Sequence, residues 1–235
     1  MIEFNKAKLA ENVQKIRDNV RKIAENCGRN VDTIKIVPAT KYVDDNVCNA
    51  LIELGFKELG ENRIQVLEGK AEQMPDFKGW HFFGHLQKNK VRKALKYCKT
   101  IETVDSVALV ERIAFIADDE NIDKVEIFIE VKTSGEENKT GADVADVPAI
   151  INAIKQNPRL GLTGFMTMAA LEDPEESRKY FKELREFRDK TQSELGIQIP
   201  HLSMGMSGDY EYAIEEGATI IRIGSLIYEG IFADN

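Results

Sequence analysis

The sequence predicts an α/β fold, a (β/α)8 TIM barrel preceded by one extra helix, and three observations carry that prediction. Eight short, β-branched segments alternate with helical ones along the chain. Polar and glycine residues gather where those strands end. The length of 235 residues lies within the roughly 200 to 250 that eight βα units commonly occupy as one domain.

The elements follow in order. Over residues 5–26, Leu9, Val13, Ile16, Val20 and Ile23 recur at helical three and four spacing with charges between them, which predicts an amphipathic opening helix. Residues 34–41 (IKIVPATK) are apolar and β-branched, a strand, and residues 44–54 form a helix stopped at Gly55. The unit then repeats. Strands are predicted at 57–60, 80–86, 100–104, 125–131, 160–168, 199–204 and 220–223. Helices separate them at 64–73, 89–97, 107–119, 147–156, 175–195 and 210–216. Such alternation implies parallel strands joined by right-handed crossovers.

A doubly wound open sheet would give the same one-dimensional pattern. The closed barrel is favoured by the strand count and by where the polar residues fall: Thr40 and Lys41, Glu61 and Asn62, Gly84 and His85, Thr167, Ser203 and Gly205, Gly224 and Ser225. In a barrel all these strand ends share the face that carries active sites. No linker or low-complexity tract divides the chain, so residues 1–235 are read as one domain.

Composition limits the partners. With 43% hydrophobic and 31% charged residues and a net charge of −8, the chain lacks the attractive field that nucleic acid or an anionic membrane requires. The N-terminus has neither an unbroken apolar stretch nor an acid-free basic one, so no signal peptide or membrane span is expected. Cys27, Cys48 and Cys98 form no CxxC pair, and their odd number suits buried free thiols in a reducing, cytoplasmic setting. There the Asn138-Lys139-Thr140 sequon carries no meaning.

Four features could carry chemistry. Lys41 ends an apolar strand whose alternation sets Val37, Ala39 and Lys41 on one face, so its amine is expected at the barrel top beside apolar walls. A lysine confined there loses solvation of its ammonium and becomes a better nucleophile toward an aldehyde, although a solvated loop lysine would read the same. Near the C-terminus, Ser207, Gly224 and Ser225 follow the seventh and eighth strands, where barrels often bind phosphate; turn glycines and a helix cap are the alternative. Arg222 lies between Ile221 and Ile223 on the face of Ile220 and Gly224, and a buried guanidinium there must meet a carboxylate, a carbonyl or a ligand. Asn62 either bonds a ligand or makes an Asx turn.

The histidines point elsewhere. His81 and His85 are about 13 Å apart along a strand, unsuited to one metal ion, and with His201 they read as hydrogen-bonded residues. No Walker sequence, GxSxG elbow or GxGxxG occurs.

With these residues in view, the sequence resembles the pyridoxal phosphate homeostasis protein family, single-domain relatives of the alanine racemase N-terminal barrel (fold type III of pyridoxal phosphate proteins). Six motifs in order carry the resemblance over nearly the whole chain: VPATK at Lys41, GENRIQ from Gly60, WHFFGHLQKNKV from Trp80, GFMTM from Gly164, LSMGMSGDY from Leu202 and IRIGSLIY from Ile221. The resemblance implies that Lys41 holds pyridoxal 5′-phosphate (PLP) as a Schiff base, that Asn62 lies by the ring and that Met166 packs near it. It further implies that Ser207, Gly224 and Ser225 hold the phosphate while Arg222 faces the pyridine nitrogen. A permanent cation at that nitrogen discourages its protonation and weakens the cofactor as an electron sink. The sequence departs from the family pattern at Ala39-Thr40 before Lys41, at Val131-Lys132 and at its YEGIFADN terminus. Lys139 and Gly141 match the family's mobile loop, a place for binding or transferring cofactor.

Three functions remain in play at this stage. The first, favoured by the resemblance, is a non-catalytic, cytoplasmic PLP carrier or regulator, monomeric, that delivers cofactor transiently to PLP-dependent apoenzymes. The second is a PLP-dependent racemase of low activity. It lacks a clear second base, since only Lys41 is clearly placed. The third is a barrel aldolase using Lys41 without cofactor.

Overall fold

The computed structural model describes residues 3–133, 140–169 and 174–232. Helix α1 (Lys6–Asn26) begins where the Asn5 side chain accepts a hydrogen bond from Lys8 N, and it buries the predicted stripe of Leu9, Val13, Ile16, Val20 and Ile23. The barrel units then follow: β1 (Lys35–Pro38), α2 (Asp45–Glu53), β2 (Leu59–Glu61), α3 (Ile64–Gln73), β3 (Trp80–Phe82), α4 (Val91–Tyr97), β4 (Thr100–Val104) and α5 (Val107–Asp119). The second half runs β5 (Val125–Glu130), α6 (Val147–Lys155), β6 (Leu160–Met166), α7 (Pro174–Leu195), β7 (His201–Ser203), α8 (Tyr210–Glu215), β8 (Ile220–Ile223) and α9 (Ser225–Tyr228).

All strand pairs are parallel, in the order β1-β8-β7-β6-β5-β4-β3-β2. A parallel bridge between Ala39 and Gly60 joins the two ends of that order, with Thr40 N donating to Gly60 O at 2.9 Å. The ring of strands is thereby nearly closed. The seam lies two residues before Lys41.

β4 and β8 have the predicted bounds, and the other six strands are shorter than the runs that predicted them. β1 ends at Pro38 rather than residue 41, and β3 at Phe82 rather than residue 86. Burial explains the difference, because Phe83 and Leu86 are buried after ladder pairing has stopped, so hydrophobicity continues past the strand. Helix α9 was not foreseen, being a single turn with too few residues to show a period.

Two apolar cores result. The larger lies between strands and helices, and the smaller fills the barrel with Val37, Phe128, Met166 and Ile220. Helix α1 packs on α8 and α9, and Asn12 Nδ2 donates to Ile227 O (3.1 Å) and Glu229 O (2.8 Å), tying the C-terminal segment down. Cys48 and Cys98 are buried free thiols as expected, whereas Cys27 is exposed because it follows the last turn of α1. Among the described residues no helix is long and apolar enough to cross a membrane.

Candidate functional site at the barrel mouth

Lys41 follows the closure seam in a tight turn, where Val43 N donates to Thr40 O at 3.0 Å. Its side chain is exposed, and Nζ lies 4.8 Å from the ring centroid of Tyr42, itself 76% exposed. The expected apolar walls are therefore not around the amine. The reason is local: β1 ends three residues earlier, so strand alternation no longer directs the side chain at position 41. An aromatic face is its neighbour instead.

Behind this turn, outside the ring of strands, a buried ion pair anchors both flanks. Lys70 Nζ bonds Glu61 Oε1 and Thr40 O (2.6 Å), and Thr40 Oγ1 donates to Glu61 Oε1 at 2.7 Å. Glu61 Oε2 accepts from Asn62 N at 3.2 Å. One carboxylate thus fixes the residue before Lys41 and the backbone of Asn62. Gly84 fits closely here, since a Cβ on it would stand 1.9 Å from Asn62 O. The Asn62 side-chain oxygen is buried and has no hydrogen-bond partner among the described residues.

The ends of β7 and β8 meet beside that seam. Gly224 N donates to Ser207 Oγ at 3.1 Å, and Ser225, exposed, opens α9. Gly205, with φ of +93°, makes the turn after β7, where a Cβ would stand 2.5 Å from that of Ala213. Asp209 closes the loop by accepting from Met206 N at 2.6 Å, and burial pushes its carboxyl above the ordinary value. Ser207, Gly224 and Ser225 are accordingly brought together, as the sequence predicted.

Arg222 is buried inside the barrel, level with Val37 of β1. Its NH1 donates to Ser203 Oγ (2.7 Å) and its NH2 to Thr167 O (3.0 Å). Ser203 Oγ donates to Glu102 Oε2 at 2.6 Å, and that same oxygen is 3.9 Å from Arg222. His81 Nδ1 meets the other oxygen, Oε1, at 2.6 Å. His81 Nε2 lies 3.8 Å from Glu58, too long for a hydrogen bond but close enough for an ion pair, and Glu58 takes a 2.8 Å bond from Lys35. Met166 is fully buried in the neighbouring apolar cluster with Val37, Phe128 and Ile220.

The titration directions follow from this layout. Burial alone would lower His81, but the carboxylates of Glu102 and Glu58 outweigh it and hold it up at about 9. Burial likewise opposes the Glu102 anion, yet His81, Arg222 and Ser203 keep its carboxyl below the ordinary value. His81 and Lys35 bring Glu58 down to about 2. Desolvation lowers Arg222, with Glu102, Asp209 and Glu130 pulling the other way. A guanidinium remains charged under those conditions.

Three contributors escaped the sequence reading. Glu61 was noted only as a polar strand end, and Lys70 and Glu102 not at all. Glu102 had a readable signal, a carboxylate in the middle of the strand TIETV, where burial would demand a partner. Lys70 had none, because a lysine in a helix is ordinarily solvated. Lys139 lies outside the described residues, while Gly141 has φ of +119°.

A nearly closed ring of eight parallel strands, with a lysine after the first and an arginine within the last, is the barrel of alanine racemase-type proteins, and the alanine racemase N-terminal domain family matches residues 12–231. The pyridoxal phosphate homeostasis protein of Aquifex aeolicus (strain VF5) is 38% identical over 220 residues, covering 93% of this chain and 96% of its own. The chain belongs to the pyridoxal phosphate homeostasis protein family. PipY of Synechococcus elongatus PCC7942, solved with PLP bound, superposes with a TM-score of 0.82 at 28% identity, over 94% of this chain and 99% of its own. Alanine racemase of Clostridium difficile 630 shares the fold alone, with a TM-score of 0.78 at 18% identity over 99% of this chain and 60% of its own.

Proposed function

We propose that this protein binds PLP through the amine of Lys41 and serves intracellular PLP homeostasis, as a store, buffer or donor rather than as a catalyst of amino-acid turnover. One observation carries the reading. The exposed Lys41, the unpartnered Asn62 oxygen and the Ser207–Gly224 contact follow the adjacent strands β1, β2, β7 and β8, and the buried Arg222 lies within β8 beneath them. The residues fit the cofactor on that ground: the Asn62 side-chain amide, its oxygen without a partner among the described residues, leaves a polar contact at the mouth open to a ligand.

PLP supplies an aldehyde that condenses reversibly with a primary amine and a pyridine ring that can draw electron density. Lys41 supplies the amine, and the Lys70–Glu61 pair holds its turn. Ser207, Gly224 and Ser225 offer hydroxyl and backbone N–H groups for a phosphate, and Met166 lies in the apolar cluster below. Arg222 has no proton acceptor to offer a ring nitrogen, so it favours the unprotonated ring and a weak electron sink. That is the chemistry of holding a cofactor. The racemase reading is not favoured, because Lys41 is the one clearly placed base and the Aquifex aeolicus relative carries the homeostasis name.

The reading extends to a single-domain, cytoplasmic monomer that passes PLP to apoenzymes. Its support is a net charge of −8, the small number of exposed large apolar side chains among the described residues (Tyr42, Phe115, Val144 and Leu195, each on a different segment of the chain), and the free cysteines. Gly141 and Lys139 are assigned to cofactor exchange on the sequence resemblance.

The test is chemical. Protein incubated with PLP and reduced with borohydride should carry one phosphopyridoxyl group, on the peptide containing Lys41. Lys41→Ala should lose the covalent label and keep weak, reversible binding through the phosphate contacts. Label on another lysine, or none, overturns the proposal.

A further inference from the structure

Five side chains cross the barrel interior with alternating charge: Lys35, Glu58, His81, Glu102 and Arg222. Three are cations and two are anions, so the row ends in a positive charge at Arg222. Glu102 stands between His81 and Arg222 and is fully buried. The row also fixes the direction of each proton. Both oxygens of Glu102 accept, one from His81 and one from Ser203, so the Ser203 proton is committed and its lone pairs face Arg222. With NH2 held by Thr167 O, the guanidinium cannot turn without breaking two bonds.

We propose that Glu102 is a positioning residue for the cofactor site: acting through the Ser203 hydroxyl, it fixes the orientation of the Arg222 guanidinium and so sets what Arg222 presents to the ring nitrogen of bound PLP. The inference rests on the functional reading above. Glutamine at position 102 keeps the volume but replaces one accepting oxygen with an amide donor. Facing Ser203, that donor makes the hydroxyl accept from the amide as well as from Arg222 and sends the hydroxyl proton elsewhere; facing His81, it requires the neutral ring. In both cases Arg222 loses the anion behind its acceptor. The charged groups facing Arg222 include Glu102, Glu130 and Asp209, and Glu102 is the one linked to it through a shared hydroxyl.

The experiment compares wild type, Glu102→Gln and Ser203→Ala after reconstitution with PLP, reading the visible absorption band across neutral pH and the PLP dissociation constant by equilibrium dialysis. Ser203→Ala removes the relay while leaving the Glu102 carboxylate with His81, so it reports even if Glu102→Gln does not fold. Both variants should show a band whose position titrates with pH where the wild-type band does not, and affinity lower by about tenfold. Arg222→Glu should move the band in the same sense. A merely structural Glu102 would lower the melting temperature while band and affinity stayed as in wild type, and that result overturns the proposal. A wild type that binds no PLP overturns the functional reading with it, whereas normal wild-type binding with unmoved variants overturns this inference alone.

Discussion

Two buried charge clusters lie on opposite faces of the strand wall, and they differ in what they leave over. Outside the ring, Lys70 and Glu61 balance one for one, and Thr40 and the Asn62 backbone each donate a further bond to the carboxylate. Inside, Arg222 and His81 share the carboxylate of Glu102, and Glu58 stands between His81 and Lys35, so three cations face two anions. Of the five N–H donors a guanidinium carries, Ser203 and Thr167 each take one. A neutral, closed cluster holds backbone in place. An unbalanced one with donors to spare holds something for a ligand.

The comparison breaks first at Lys70. Lys70→Met should leave Glu61 buried without its cation, at a cost of about 3–5 kcal/mol measured by urea denaturation, since losing one partner strands the other charge. The same variant should loosen the turn before Lys41. A loss below about 1 kcal/mol would mean that Glu61 is stabilised by Thr40 and Asn62 alone, and the balanced picture of this cluster would fail.

His81 gives the next effect. Its folded value of about 9 stands above the ordinary 6.5, so its contribution is fully present below about pH 6.5 and is lost as pH rises through 9. Wild type should therefore lose stability on the order of 2 kcal/mol across that window, read from denaturation midpoints at several pH values. His81→Asn should flatten the slope. Lys70→Met should keep it, because the two clusters do not share a carboxylate.

The sequence made the barrel legible because its evidence is redundant: eight apolar segments, their spacing and the polar strand ends all agree, and eight strands follow the predicted order. Lys41, Ser207, Gly224 and Ser225 were readable because chain position alone places them at the strand ends. The surroundings of Lys41 were not, since they depend on β1 stopping at Pro38 while the apolar run continues. The partners of Arg222 were legible as a requirement and not as an identity. A carboxylate in TIETV needs a partner if buried, but the irregular register of β4 between Ile101 and Val104 hides its face from alternation, and only the fold brings it to Ser203 and Arg222, 101 and 120 positions later in the chain. Lys70 was hidden because a helix period does not distinguish a lysine aimed at solvent from one aimed at the back of a strand.

The smallest effect tests whether the inner row acts by contact or by field. Lys35 is its solvent end, about half exposed, bonded to Glu58 at 2.8 Å. An exposed pair of this kind contributes between zero and about 1 kcal/mol, so Lys35→Met should barely change the denaturation midpoint. If hydrogen bonds carry the influence of the row, that variant should also leave the absorption band of the PLP-loaded protein unmoved, because the 3.8 Å gap between Glu58 and His81 interrupts the bonded chain. A diffuse field would instead move the band in Lys35→Met, and added salt would reverse the change, since mobile ions screen charges at the surface and not those buried beside Arg222. Band positions for Lys35→Met and Glu102→Gln at low and high ionic strength separate the two. Equal movement in both variants would remove the distinction between an arginine held by its neighbours and one that only feels them.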